Sequence, residues 1–230
     1  MSISQIKNPY LQQVLFQNLS SSTIQPNQLK NSAQLLNSAM TAKNSNASIS
    51  AAGNKLNNIS STIRKSGDMQ AYEGFQSALQ RAGASSDPLQ MTRFVNSANM
   101  VAGQAPATLN DSFAGLARTT GQNDTGLIEG FNKAFTSTVE KTGVAGLKSF
   151  NKAFSNVENA DYSTSSVGLG ENLQKFFSTA SQAITAGKSG EESLSNLQRL
   201  AKGIEISESA GDIYKFFNEF TGPDPKKSFV

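Results

Sequence analysis

Glu129-Gly130-Phe131-Asn132-Lys133-Ala134-Phe135 returns nineteen residues later as Lys148-Ser149-Phe150-Asn151-Lys152-Ala153-Phe154. The duplication belongs to a longer series. Phe75, Phe94, Phe113, Phe131 and Phe150 lie 19, 19, 18 and 19 residues apart, and Leu56 and Leu169 continue the interval at either end. A short fixed interval marks stacked units, none of which can bury its apolar face alone.

Each unit reads as one helix of about three turns. Apolar residues stand three or four positions before the Phe (Tyr72, Leu109, Leu127, Ile128, Leu147) and three or four after it (Leu79, Leu116, Phe135, Phe154), which puts them on one helical face. Gly67, Gly83, Gly103, Gly121 and Gly143 close units where a left-handed cap is expected. Asp68, Asp87 before Pro88, and Asn123-Asp124 open the next unit as groups that satisfy free helix amides. With no sustained strand alternation, the expected fold is all-α: short antiparallel helices with a ~19-residue period, as an α-solenoid-like array or an elongated helical bundle. Two units make a pair of about 38 residues, similar in length to tetratricopeptide and HEAT repeats but without their signature residues.

The whole chain divides into five expected segments. Residues 1–25 form a flexible N-terminal segment. Residues 26–67 carry an amphipathic helix or helical hairpin, with Leu29, Ala33, Leu36 and Met40 on one seam and Ile49, Ala52, Leu56, Ile59 and Ile63 on another. The repeat region spans 68–187. C-terminal helices over 188–222 show Leu194, Leu197, Leu200, Ala201 and Ile204 on one face, then Ile213, Phe216, Phe217 and Phe220. A Pro-containing tail, 223–230, follows.

Composition removes whole classes of chemistry. The 230 residues include no Cys, His or Trp. Disulfides, thiolate and imidazole metal sites, and nucleophile–His pairs are therefore excluded, and no cofactor or metal site is expected. Hydrophobic residues make up 37% and charged residues 16%. The remainder is largely Ser, Asn, Gln, Thr and Gly, which suits a modest, elongated core. No run of about 18 apolar residues spans a membrane, and the N-terminus lacks the apolar core of a secretory signal.

Seventeen carboxylates leave a glycan hydrolase as an alternative. However, Glu129, Glu140, Glu158 and Glu171 show no spacing that selects an acid pair, and solvated helix faces account for them. A small-molecule substrate is not expected. The Phe series reads mainly as core. The duplicated segments are the best candidates for a partner-binding surface: Phe131, Asn132, Lys133 and Phe135, with Phe150, Asn151, Lys152 and Phe154 in equivalent places. Gly168-Leu169-Gly170 lacks the Lys-Ser/Thr of a phosphate loop. Ser228-Phe229-Val230 matches a carboxyl-terminal strand-addition ligand in three residues only.

Charge is unevenly placed. Residues 1–67 hold Lys7, Lys30, Lys43, Lys55, Arg64 and Lys65 without a single acid, a net +6, against 14 basic and 17 acidic residues in the rest. Six cations with only Tyr10 and Phe16 among them are too sparse for a nucleic-acid reader. A leader rich in Ser, Asn, Gln, Thr and Ile and free of acids resembles the N-termini of proteins exported unfolded by bacterial type III and flagellar systems. The missing Cys, His and Trp and the paired helical seams also resemble flagellins and other exported axial proteins. The tail with Pro223 and Pro225 departs from the apolar assembly helix that ends members of that family. The resemblance implies a non-enzymatic bacterial protein, secreted by a non-Sec route, that acts as an assembly subunit or a secreted interaction factor. Its partners would be protein, or further copies of itself. An intracellular helical adaptor that binds a peptide or helix is the alternative.

Overall fold

The computed structural model describes residues 46–85, 87, 89–120 and 124–220, with only the backbone described over 46–52. The expected seam at Leu29, Ala33, Leu36 and Met40, the 1–25 segment and the C-terminal tail lie outside these residues. The described chain contains eight helices and no strand: α1 Asn46–Ser66, α2 Met69–Gly83, α3 Gln90–Gln104, α4 Pro106–Thr119, α5 Thr125–Glu158, α6 Leu169–Ala186, α7 Gly190–Glu205 and α8 Ala210–Glu219. The protein is all-α.

Local chemistry sets the helix starts. Asp68 accepts from the Ala71 amide at 3.0 Å and Asp124 from the Leu127 amide at 3.2 Å. Ser189 and Ser209 do the same for the Glu192 and Asp212 amides, at 3.1 and 3.2 Å. Each oxygen satisfies one of the amides that a helix start leaves open. Asp87 serves one step further out and accepts from the Leu89 amide. The helix ends differ from the expected left-handed glycine caps at two positions. Only Gly67 (φ 72°) and Gly143 (φ 63°) take positive φ among the described residues. Gly83 lies inside the last turn of α2, which closes on Ala84 in right-handed geometry, and α3 runs past Gly103 to Gln104. There Ala105 leaves helical geometry because Pro106 follows and disfavours it in the preceding residue.

α5 is a hairpin within one helical element. In a straight helix Phe131 and Phe154 would stand about 35 Å apart, yet their ring centroids are 6.1 Å apart. The chain reverses at Gly143, whose φ 63°, ψ −154° is open to glycine and closed to L side chains. When the two halves of α5 are counted separately, the main pattern is that each helix lies against the next but one, while α2 also reaches the first half of α5 and α7 packs on α6. α1 meets α3 through Lys55–Asn96 and Asn58–Asn99 hydrogen bonds of 2.7 and 2.9 Å. α3 meets the first half of α5 through Arg93–Glu140, and α4 meets the second half through Arg118–Glu158. α6 packs on the first half, α7 on the second, and α8 on α6. Side-chain bonds between these neighbours span 38 to 53 residues.

The Phe series forms the core. Phe75, Phe94, Phe113, Phe131 and Phe150 are all buried, and Leu56 and Leu169 pack half-buried against them. Rings touch in an unbroken path: Phe75–Phe113 at 5.4 Å, Phe113–Phe135 at 5.5 Å, Phe135–Phe131 at 5.7 Å, Phe131–Phe150 at 6.2 Å, Phe150–Phe176 at 5.1 Å and Phe176–Phe217 at 6.3 Å. Packing is continuous through the α1–α2 and α6–α7 junctions.

α2 and α4 approach until their backbones touch. A Cβ at Gly74 would stand 1.9 Å from the Phe113 carbonyl oxygen, whereas one at Gly126 would meet nothing within 4 Å. Gly74→Ala therefore forces α2 off α4 and costs several kcal/mol, on the order of 3 or more, in urea unfolding. Gly126→Ala, in the first turn of α5, stabilises by about 0.5–1 kcal/mol. Equal midpoints for the two variants would refute the close approach.

Candidate functional site

The duplicated segments occupy the two halves of α5, facing each other across the Gly143 reversal. Their four rings, Phe131, Phe135, Phe150 and Phe154, lie in the core, all within 2% exposure. Phe131 touches Phe135, Phe150, Phe154 and Phe177, so it ties the first half of α5 to the second half and to α6. Within each Phe-Asn-Lys-Ala-Phe the exposed residue is the lysine. The Lys133 and Lys152 side chains are 60% and 58% exposed.

The asparagines are clasps. Asn132 is buried, and its Nδ2 donates 2.8 Å to the Ala78 carbonyl of α2. Asn151, half-buried, donates 2.8 Å to the Thr108 carbonyl of α4 and accepts from the Ser112 hydroxyl at 2.8 Å. Each therefore supplies a second bond to a carbonyl of a neighbouring helix, a polar contact that also fixes the register between the two helices. Asn172 repeats the device from α6 to the Ala210 carbonyl at 2.9 Å, and Asn196 from α7 to the Ala183 carbonyl at 3.1 Å. Sequence inspection overlooked these last two. Their signal is position: Asn172 stands four before Phe176 and Asn196 four before Leu200, on the buried face rather than the solvent face.

The lysines meet acids. Lys133 pairs with Glu129 one turn earlier at 2.8 Å, and Glu129 is also held by Arg81 of α2. Lys152 pairs with Glu205 of α7 at 2.8 Å, and Lys202 joins from the same helix at 3.2 Å. The carboxylates considered for glycan chemistry are placed in the same way. Glu129, Glu140 and Glu158 each face an arginine of another helix, and Glu158 takes both Nε and a terminal nitrogen of Arg118. Bonds from Lys133 and Arg81 hold the Glu129 carboxyl down to about 2. A glycosidase proton donor needs a carboxyl displaced upward. Glu171 lies beside Tyr214, whose phenol is pushed up by that carboxylate. Among the described residues no three acids converge as a cation site, and no helix is long and apolar enough to cross a membrane.

The surface that remains is therefore a mosaic of paired charges on exposed helix faces. Met69 in α2, Leu89 just before α3 and Ile206 just after α7 are large apolar side chains exposed in it.

Two expectations follow. Asn132→Ala removes one bond from a carbonyl that keeps its own helical partner and costs about 1 kcal/mol. Asn132→Asp turns an acceptor toward the Ala78 oxygen and buries a charge, so it destabilises more than the alanine, as calorimetry would register. Because the folded Glu129 carboxyl lies below its unfolded value, its contribution is complete above pH 4.5 and is lost as pH falls toward 2. Solvent screening holds that contribution to about 1 kcal/mol or less. Glu129→Gln flattens the acid limb of the stability–pH curve; an unchanged limb would remove the ion pair from the account.

Comparison with protein-family models, with curated proteins and with solved structures finds no match to this chain.

Proposed function

We propose that this is a non-enzymatic bacterial protein, exported by a type III-like route, that acts as an assembly subunit or secreted interaction factor through the outer faces of its helical array. The observation that carries the proposal is the charge of residues 1–67, six cations and no acid, ahead of a region in which acids outnumber bases. Ahead of α1 this stretch is rich in Ser, Asn, Gln and Thr and free of acids, the composition that resembles the N-termini type III-like machines engage. The array supplies the second part. Its ion pairs join helices to one another, and the solvent faces between them present Lys133, Lys152 and neighbouring polar groups to a protein partner or another copy.

An intracellular adaptor is the alternative reading, favoured by the next-but-one packing of the helices, since stacked helices offer an extended face to a peptide or partner helix.

Deletion of residues 1–25 separates the two. The truncated protein is expected to keep its helical circular dichroism and unfolding midpoint but to stay in the cell when expressed with a type III apparatus. Undiminished secretion of the truncated chain would overturn the export proposal. Retention of the full-length chain, together with recovery of a single cytoplasmic partner on it, would establish the adaptor.

A further inference from the structure

The joint at Gly143 differs from every other reversal in the described chain. Between α1 and α2 stand Gly67 and the capping Asp68; α4 begins with Pro106, and α7 begins after Gly187 with the capping Ser189. Each of these groups prevents one helix from running into the next. Around Gly143 the sequence reads Val139-Glu140-Lys141-Thr142-Gly143-Val144-Ala145-Gly146-Leu147, with neither proline nor capping acid. Gly143 itself holds the capping position and has no side chain, and the Thr142 hydroxyl beside it donates back to the Thr138 carbonyl at 2.6 Å. Helical geometry extends to both sides of one residue, and a lone glycine inside a helix is tolerated at modest cost. A continuous 34-residue helix would thus differ from the observed hairpin by one pair of backbone angles.

Straightening cannot occur within a single copy without exposing its core. It would carry Phe154 from 6.1 Å to about 35 Å from Phe131, and the Phe rings, the Asn151 clasp and the Arg118–Glu158 pair would lose their partners together. A second straightened copy offers all of those partners in the same arrangement. We propose that Gly143 is a hinge through which two copies of this chain exchange everything beyond it, with Val144–Phe220 of one docking on the first helices of the other. The short joint favours exchange, because it leaves no slack for the closed form while the open form needs none. This inference does not rest on export or on any outside partner.

The absence of cysteine permits a direct test. In a chain carrying Arg118→Cys and Glu158→Cys, a short bismaleimide joins two positions that face each other in the closed form. After refolding at high concentration, light scattering is expected to find a fraction of twice the monomer mass in which the reagent links two different chains. Gly143→Ala, which disfavours the reversal but not the helix, should raise the dimer-to-monomer ratio about tenfold or more. Insertion of Gly-Ser-Asn-Gly after Gly143 should abolish the dimer. A wild-type chain that stays monomeric overturns the proposal, as does a dimer linked only within chains. If Gly143→Ala fails to fold, the inserted chain decides: dimer undiminished by the insertion also overturns it.

Discussion

Burial of phenylalanine rings between successive helices is the constraint on which the architecture depends. A helix of 10 to 21 residues, poor in charge and with one apolar face, does not persist alone in water. The ring path from Phe75 to Phe217 removes that face from solvent unit by unit, and each ring touches rings of neighbouring helices rather than one central mass. Tilted and edge-on contacts add about 0.5–1.5 kcal/mol per pair beyond area burial. With so few apolar residues in the composition, these rings carry most of the large-side-chain core, joined by Ile59, Ile63, Leu173 and Leu197. This also explains why the structure extends along the chain. A core assembled from neighbour contacts has no need of a centre.

Rings alone do not fix register, since a phenyl group tolerates sliding by an ångström or two. Direction comes from the polar clasps. Asn132, Asn151, Asn172 and Asn196 each reach a named carbonyl on another helix, and a hydrogen bond lost to sliding leaves a buried amide unpaired. The arginine–carboxylate pairs at the rim add the same directional preference at lower energy, because they remain hydrated. Gly74 completes the arrangement by letting α2 settle on the backbone of α4, where any side chain would hold them apart.

The sequence made the helical class plain because its evidence is local. Apolar spacing around Phe113 or Phe131, and the aspartates at 68 and 124, act within one or two turns, and the structure places them as that spacing requires. What escaped notice depends on which helix lies opposite. Gly83 and Gly103 carry the composition of a left-handed cap, but their helices are ended by Ala84 and by Pro106. The Phe-Asn-Lys-Ala-Phe duplication suggested equivalent surfaces. Its equivalence instead extends inward, with the asparagine and both rings facing other helices and the lysine left to solvent. An asparagine within a helix reads as solvent-facing until its spacing from the core positions is taken into account. Residues 1–45, where the charge asymmetry begins, fall outside the described structure.

Contacts that close over shorter stretches of sequence favour refolding, because the entropy lost in closing a loop grows with its length. Most inter-helix side-chain bonds here join residues about forty to fifty apart, and Asn196–Ala183 only 13. With no cysteine in the chain, no disulfide locks any of these contacts. The same economy of contact has a consequence for association. When every interface is made between near neighbours, breaking the chain of contacts at one joint leaves two complementary halves that each keep their own helices. Gly143 is where that division needs the least backbone change. Self-association and refolding would then draw on one set of interfaces, and the concentration of the chain would decide whether its partner is itself or a second copy.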